Sequence, residues 1–91
     1  MTGYKRGDVA LVAFVFPDQS GIKRRPAVII SSEAYHSGRQ EVIISAITSN
    51  TSRILPGDTM ISDWRSCGLL FPSVATAIIR TVKGEALTRR L

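Results

Sequence analysis

The hydrophobic positions of this chain come in short runs rich in Val, Ile and Phe, separated by clusters of turn-forming residues. The first run, residues 8–16 (DVALVAFVF), has no helix-period polar face and predicts a well-buried strand. Pro17, Asp18, Gln19, Ser20 and Gly21 break it, and with Ile22, Lys23, Arg24 and Arg25 they predict an exposed hairpin-like loop carrying positive charge. Pro26 pushes Arg25 toward extended backbone angles and lacks an amide donor, so it suits the start of a strand, here residues 27–31. Residues 32–35 predict one helical turn capped by Ser31 or Ser32, and residues 36–40 return to loop character. A third strand spans residues 41–48.

Beyond it, residues 49–53 are polar, Pro56, Gly57 and Asp58 form a turn, residues 59–61 make a short strand and residues 63–68 turn again. Residues 69–71 and 74–82 are further apolar β-type segments around Pro72 and Ser73, and residues 83–91 look like the beginning of a C-terminal helix. Five or six short strands with almost no helix predict a mainly β fold, a small barrel or roll.

The chain has 91 residues, one domain's worth, and a domain of this size buries only about 60–65% of its unfolded-chain surface. Hydrophobic residues at 44% and charged ones at 21% describe a globular protein, and no apolar run approaches the roughly 18 residues of a membrane span. No small-residue cleavage site follows the apolar run 9–16, so a signal peptide is not expected and the cytoplasm is the default location. A single cysteine, Cys67, excludes an internal disulfide, and with a single histidine, His36, it does not make a zinc site of usual ligand count; no cofactor is expected. The net charge of +5 is spread over the fold and suits a polyanion or an acidic protein partner.

One pairing carries the chemistry. Lys23, Arg24 and Arg25 stand at the head of strand two, while Thr48, Ser49 and Asn50 stand at the tail of strand three. Neighbouring strands bring such ends together, and a phosphate fits between cations on one side and hydroxyls with an amide on the other. Hydroxyls and amides at a strand end also commonly form turn hydrogen bonds of purely local meaning. His36, beside Tyr35 in a predicted loop, reads as a surface histidine, and Trp64 reads as core or dimer contact ahead of a base-stacking platform. Arg53 and Arg65 extend the basic character with no spacing that ties them to Arg25, and Tyr4 shares the ambiguity of Trp64. The run Leu69, Leu70, Phe71 exceeds what a thin core hides and suggests a symmetric dimer interface.

Four segments fall in one order: KRGDV at 5–9, RRPAVI at 24–29, AITS at 46–49 and GLLFPSV at 68–74. In these the chain resembles the MazF/PemK (Kid) toxins of type II toxin–antitoxin systems, from Tyr4 to about Leu91. The resemblance implies an SH3-like β-barrel with one or two short helices. It implies a homodimer, a cognate antitoxin as regulator, and a metal-independent mRNA interferase, an endoribonuclease that cuts single-stranded RNA at selected sequences. The catalytic pair of that family falls on Arg25 and Thr48. Lys23, Arg24, Ser49, Asn50 and Arg53 become the candidates for RNA binding. The family usually continues into a longer C-terminal helix, so the resemblance implies that residues 89–91 stop where that element begins.

The implied reaction suits these residues, because a 2′-hydroxyl attacking the adjacent phosphorus is intramolecular and positioning replaces much of the activation. Arg25 then clamps the charge of the pentacoordinate phosphorus bidentately, and Thr48 orients a non-bridging oxygen. A guanidinium that titrates above about 12 is a poor general base, which leaves that role unassigned. Charge and fold equally suit a non-catalytic SH3-like module for nucleic acid or an acidic partner, or an inactive relative of the toxins. The placement of Arg25, Pro26 and Thr48 favours an enzyme over the binding module, whereas an inactive relative of the toxins shares every motif.

Overall fold

The structure is a computed structural model that describes residues 3–15 and 21–91. Six strands form a single antiparallel sheet: β1 (Val9–Val15), β2 (Ile22–Ile29), β3 (Glu41–Thr48), β4 (Thr59–Ile61), β5 (Ser73–Lys83) and β6 (Leu87–Arg90), in the order β4-β5-β3-β2-β1-β6. One short helix, α1 (Glu33–His36), and a 3-10 turn at Gly84–Ala86 complete it. Among the described residues no helix is long and apolar enough to cross a membrane.

Strand alternation divides the core in two. Ala10, Val12, Ala27, Ile29, Val42, Ile44 and Leu87 are buried in one cluster, while Val9, Ile47 and Leu69 form another with Val28, Ile61, Trp64 and Leu91 against it. Val12, Ile29, Val42 and Ile44 are completely buried although among the described residues no second sheet or long helix covers them. Only a sheet that curls around its own inner face does that. The edge strands β4 and β6 do not pair with each other, so the expected barrel is an open, curled sheet.

The hairpin of β1 and β2 is longer than its sequence suggests. Register pairs run from Val9–Val28 to Val15–Ile22, so Lys23, Arg24 and Arg25 lie in β2 and not in a loop. Once β1 is extended it presents a complete edge, and pairing to it outweighs the polar character of these residues. The turn expected at residues 17–20 lies outside the described residues, as does Phe16. Pro26 sits inside β2 instead of opening it, at a point where the ladder to β3, which starts at Ala27, has ended; a missing N–H costs nothing on that side.

The C-terminal helix expected from residue 83 is not formed. Gly84 leads a single 3-10 turn, and Leu87–Arg90 pairs with the free edge of β1, putting Leu87 in the core. Burial of Leu87 and the ladder to β1 override a weak helical tendency that Gly84 already undercuts. Residues 69–71 are likewise not a strand: between positive-φ Gly68 and Pro72 they bend, with Leu69 buried while Leu70 and Phe71 are 81% and 61% exposed. The strands β3 and β4 coincide with the residues expected of them, and α1 is capped by Ser32, whose Oγ accepts from the Tyr35 N–H at 3.2 Å.

Candidate functional site

Why Arg25 and Thr48 come to neighbouring strand ends follows from the register of β2 on β3. The ladder pairs Ile29 with Ile44, Val28 with Ser45 and Ala27 with Ala46, and there it stops. Carried two positions further, the same register sets Pro26 opposite Ile47 and Arg25 opposite Thr48. Close by, β5 carries a bulge against β3 between Ser45 and Ile47. Side chains bridge that bulge: Ser45 Oγ donates to the Thr76 carbonyl at 2.6 Å and Thr76 Oγ1 to the Ala46 carbonyl at 2.7 Å. Loss of pairing on one side of β3 and a bulge on the other let the strand ends part, which is how sheets open next to sites.

A cavity of about 410 Å³ fills the opening. Arg25, Pro26, Thr48, Ser49 and Ser73 line it together with Leu11, Ile47, Leu69, Leu70, Phe71, Arg89 and the chain's last residue. Among the described residues two arginines and no Asp or Glu side chain line it, so an anion is the ligand it favours. Arg25 Nη1 donates to the Arg24 carbonyl at 3.2 Å and has no carboxylate partner among the described residues. Thr48 Oγ1 accepts the Asn50 N–H at 3.2 Å, which leaves the hydroxyl proton for donation. Asn50 Oδ1 in turn accepts from the Ser52 N–H and Oγ, so the local turn bonds expected as an alternative are formed by the same residues.

Of the residues singled out in the sequence, the fold gathers Arg25, Thr48 and Ser49 on one cavity wall and leaves Lys23, Arg24, Asn50 and Arg53 off it. Lys23 and Arg24 stand further along β2, opposite Phe14 and Ala13 of β1. Arg89 is the functional candidate that sequence reasoning missed, because it fell in a presumed helix; Gly84, a poor helix former, was the available warning. The surface placement expected for His36 is also wrong. His36 is 5% exposed and its Nε2 lies 2.6 Å from Ser31 Oγ, which also accepts the Ile43 N–H at 3.0 Å. It ties α1 to β3 because the α1 turn rotates the imidazole inward.

Trp64 is half-buried against the second core cluster with the Arg65 guanidinium 4.9 Å from its ring centre, and so serves packing. Tyr4 packs on the first cluster beneath Arg90. Cys67 neighbours the cavity, but burial pushes its thiol up, and the Asp63 carboxylate beside it adds to the rise. A thiol held protonated is no nucleophile. Among the described residues no three His, Cys, Asp or Glu side chains are grouped to hold a metal ion.

Comparison with known proteins agrees with this architecture. A family model described as PemK-like, MazF-like toxin of type II toxin–antitoxin system matches residues 5–91. An endoribonuclease from Mycobacterial species superposes with a TM-score of 0.71 at 22% identity, covering 100% of this chain and 75% of that one. An endoribonuclease in complex with its cognate antitoxin, also from Mycobacterial species, gives 0.69 at 22% identity, with 97% and 76% covered. No curated protein matches the chain.

Proposed function

This chain belongs to the PemK-like, MazF-like toxins of type II toxin–antitoxin systems, and from that premise we propose that it is an endoribonuclease acting on single-stranded mRNA at the Arg25–Thr48 cavity. The observation that carries the reading is that Arg25 and Thr48, at the diverging ends of β2 and β3, line one cavity that no Asp or Glu side chain enters among the described residues. RNA supplies the nucleophile itself. The 2′-oxygen bonds to the adjacent phosphorus, the P–O5′ bond breaks, the 2′ proton leaves and the 5′-oxygen takes up a proton, giving a 2′,3′-cyclic phosphate and a 5′-hydroxyl. Arg25 stabilises the doubly charged equatorial oxygens of the phosphorane, and Thr48 donates to one of them.

The similarity to an endoribonuclease bound to its cognate antitoxin supports an antitoxin as partner here too. The exposed Leu70 and Phe71 at the cavity rim support a homodimer. The test of the activity is incubation with a long single-stranded RNA in EDTA beside Arg25→Ala, with fragment ends mapped. Site-selective cuts with cyclic or 3′-phosphate and 5′-hydroxyl ends, reduced about 10²- to 10³-fold in the variant, are expected. Intact RNA with wild-type protein sinks the reading.

A further inference from the structure

We propose that Arg89 is a second phosphate-binding residue of this cavity, holding the RNA phosphate that neighbours the scissile one; the inference rests on the ribonuclease reading of the Arg25–Thr48 site. Arg89 lines the cavity from the side opposite β3. What puts it there is a one-residue irregularity. On β1, Ala10 pairs with Arg90 and Leu11 with Arg89, but Val12 pairs with Leu87, so Thr88 is the extra residue of a β-bulge. In an unbroken strand Arg89 and Leu87 share a face, and Leu87 faces the core. The bulge turns the strand so that Arg89 matches Leu11, whose neighbour on β2 is the cavity-lining Pro26. Thr88 Oγ1 donates to the Leu11 carbonyl at 3.0 Å and fastens the irregular step.

The two arginines of β6 have opposite fates. Arg90 is committed: its Nε is 3.2 Å from Asp8 Oδ2, it donates to the Gly3 carbonyl, and it lies over Tyr4. The Arg89 side chain has no ion pair and no hydrogen bond among the described residues and is exposed, so its donors are available to a ligand of the cavity it lines. Arg89, Leu11 and Pro26 span two strand spacings, about 10 Å, and Arg25 is the next residue along β2. Two arginines lining one cavity from strands two spacings apart suit two phosphates of one backbone, the reacting one on Arg25 and its neighbour on Arg89. Because guanidinium binds phosphate oxygens bidentately, the contact fixes the direction of the strand as well as its affinity.

The test uses the full chain and two probes of one sequence: an RNA oligonucleotide for cleavage and its all-2′-deoxy analogue, which lacks the nucleophile, for binding. Arg89→Gln, Arg89→Lys and the control Lys83→Gln are compared with wild type. Lys83 is opposite Glu41 at the far end of β3, about 23 Å along the strand from Thr48. Wild type is expected to show a log–log salt slope of roughly −2 to −4, and Arg89→Gln one smaller by about 0.7, the loss of one phosphate contact. Its affinity falls about tenfold, and kcat/KM falls by a similar factor carried by KM, whereas Arg25→Ala loses kcat. Arg89→Lys keeps the slope and part of the affinity, with an unfolding midpoint like wild type. An unchanged slope in Arg89→Gln, or an equal loss in Lys83→Gln, overturns the proposal. A slope that drops in Arg89→Gln while wild type leaves RNA uncut keeps the phosphate contact and refutes the ribonuclease reading instead.

Discussion

Ser31 and His36 are both buried polar residues, 4% and 5% exposed, and each satisfies the other. At the scale of the single residue this pair decides stability and not chemistry, because neither lines the cavity. Ser31→Ala removes the acceptor of the Ile43 N–H and the partner of the imidazole together. A buried group left without a partner costs about 1–3 kcal/mol. In a domain of about this length such a loss lowers the unfolding midpoint by several degrees per kcal/mol. RNA cleavage below the new midpoint is expected to stay near wild type; a loss of activity without a loss of stability would place His36 in the chemistry.

Among the elements, the segment between β4 and β5 closes the cavity by a contact that only glycine permits. Gly68 has φ near +80°, and a Cβ there falls 2.7 Å from the Leu91 carbonyl carbon and 3.0 Å from its Cβ. Gly68→Ala therefore combines left-handed backbone strain, about 1–3 kcal/mol, with a clash against backbone that does not yield easily. Lower stability and weakened RNA cleavage are expected together, since Leu69 and Leu70 form the adjoining wall. Gly7→Ala is the control: its φ is also positive but an added Cβ there meets nothing within 4 Å. Equal effects of the two substitutions on cleavage would show that the Gly68–Leu91 approach does not shape the site.

For the whole molecule, the exposed apolar residues are the open question of assembly. Ile54, Leu55, Met60, Leu70, Phe71, Ile78 and Ile79 are each 46–81% exposed, and Met60, Ile78 and Ile79 sit on β4 and β5, the edge of the sheet away from β6. A lone soluble domain rarely leaves so much apolar surface to water, which supports the proposed homodimer. Sedimentation at micromolar concentration is expected to return twice the chain's mass, and Phe71→Asp to shift the equilibrium toward the monomer. A monomeric wild type excludes the assembly.

How much was legible in the chain differs by the range of the interaction. Turn formers and apolar runs are local, and from them the sequence determined a mainly β chain, the limits of β3 and β4, and a helical turn after strand two capped by Ser31 or Ser32, of which the structure uses Ser32. Only the tertiary structure decided the rest, because each remaining feature depends on a partner distant in sequence. The free edge of β1 drew Lys23 to Arg25 into β2 and residues 87–90 into β6. That edge turned a weakly helical C-terminus into a strand, and a bulge invisible in composition moved Arg89 from the core face to the cavity. His36 followed the same rule: in the sequence it opens a predicted loop, and its burial comes from Ser31 and from β3 packing over α1. Propensities of a few tenths of a kcal/mol per residue yield to a ladder of backbone hydrogen bonds and a buried leucine whenever the two compete.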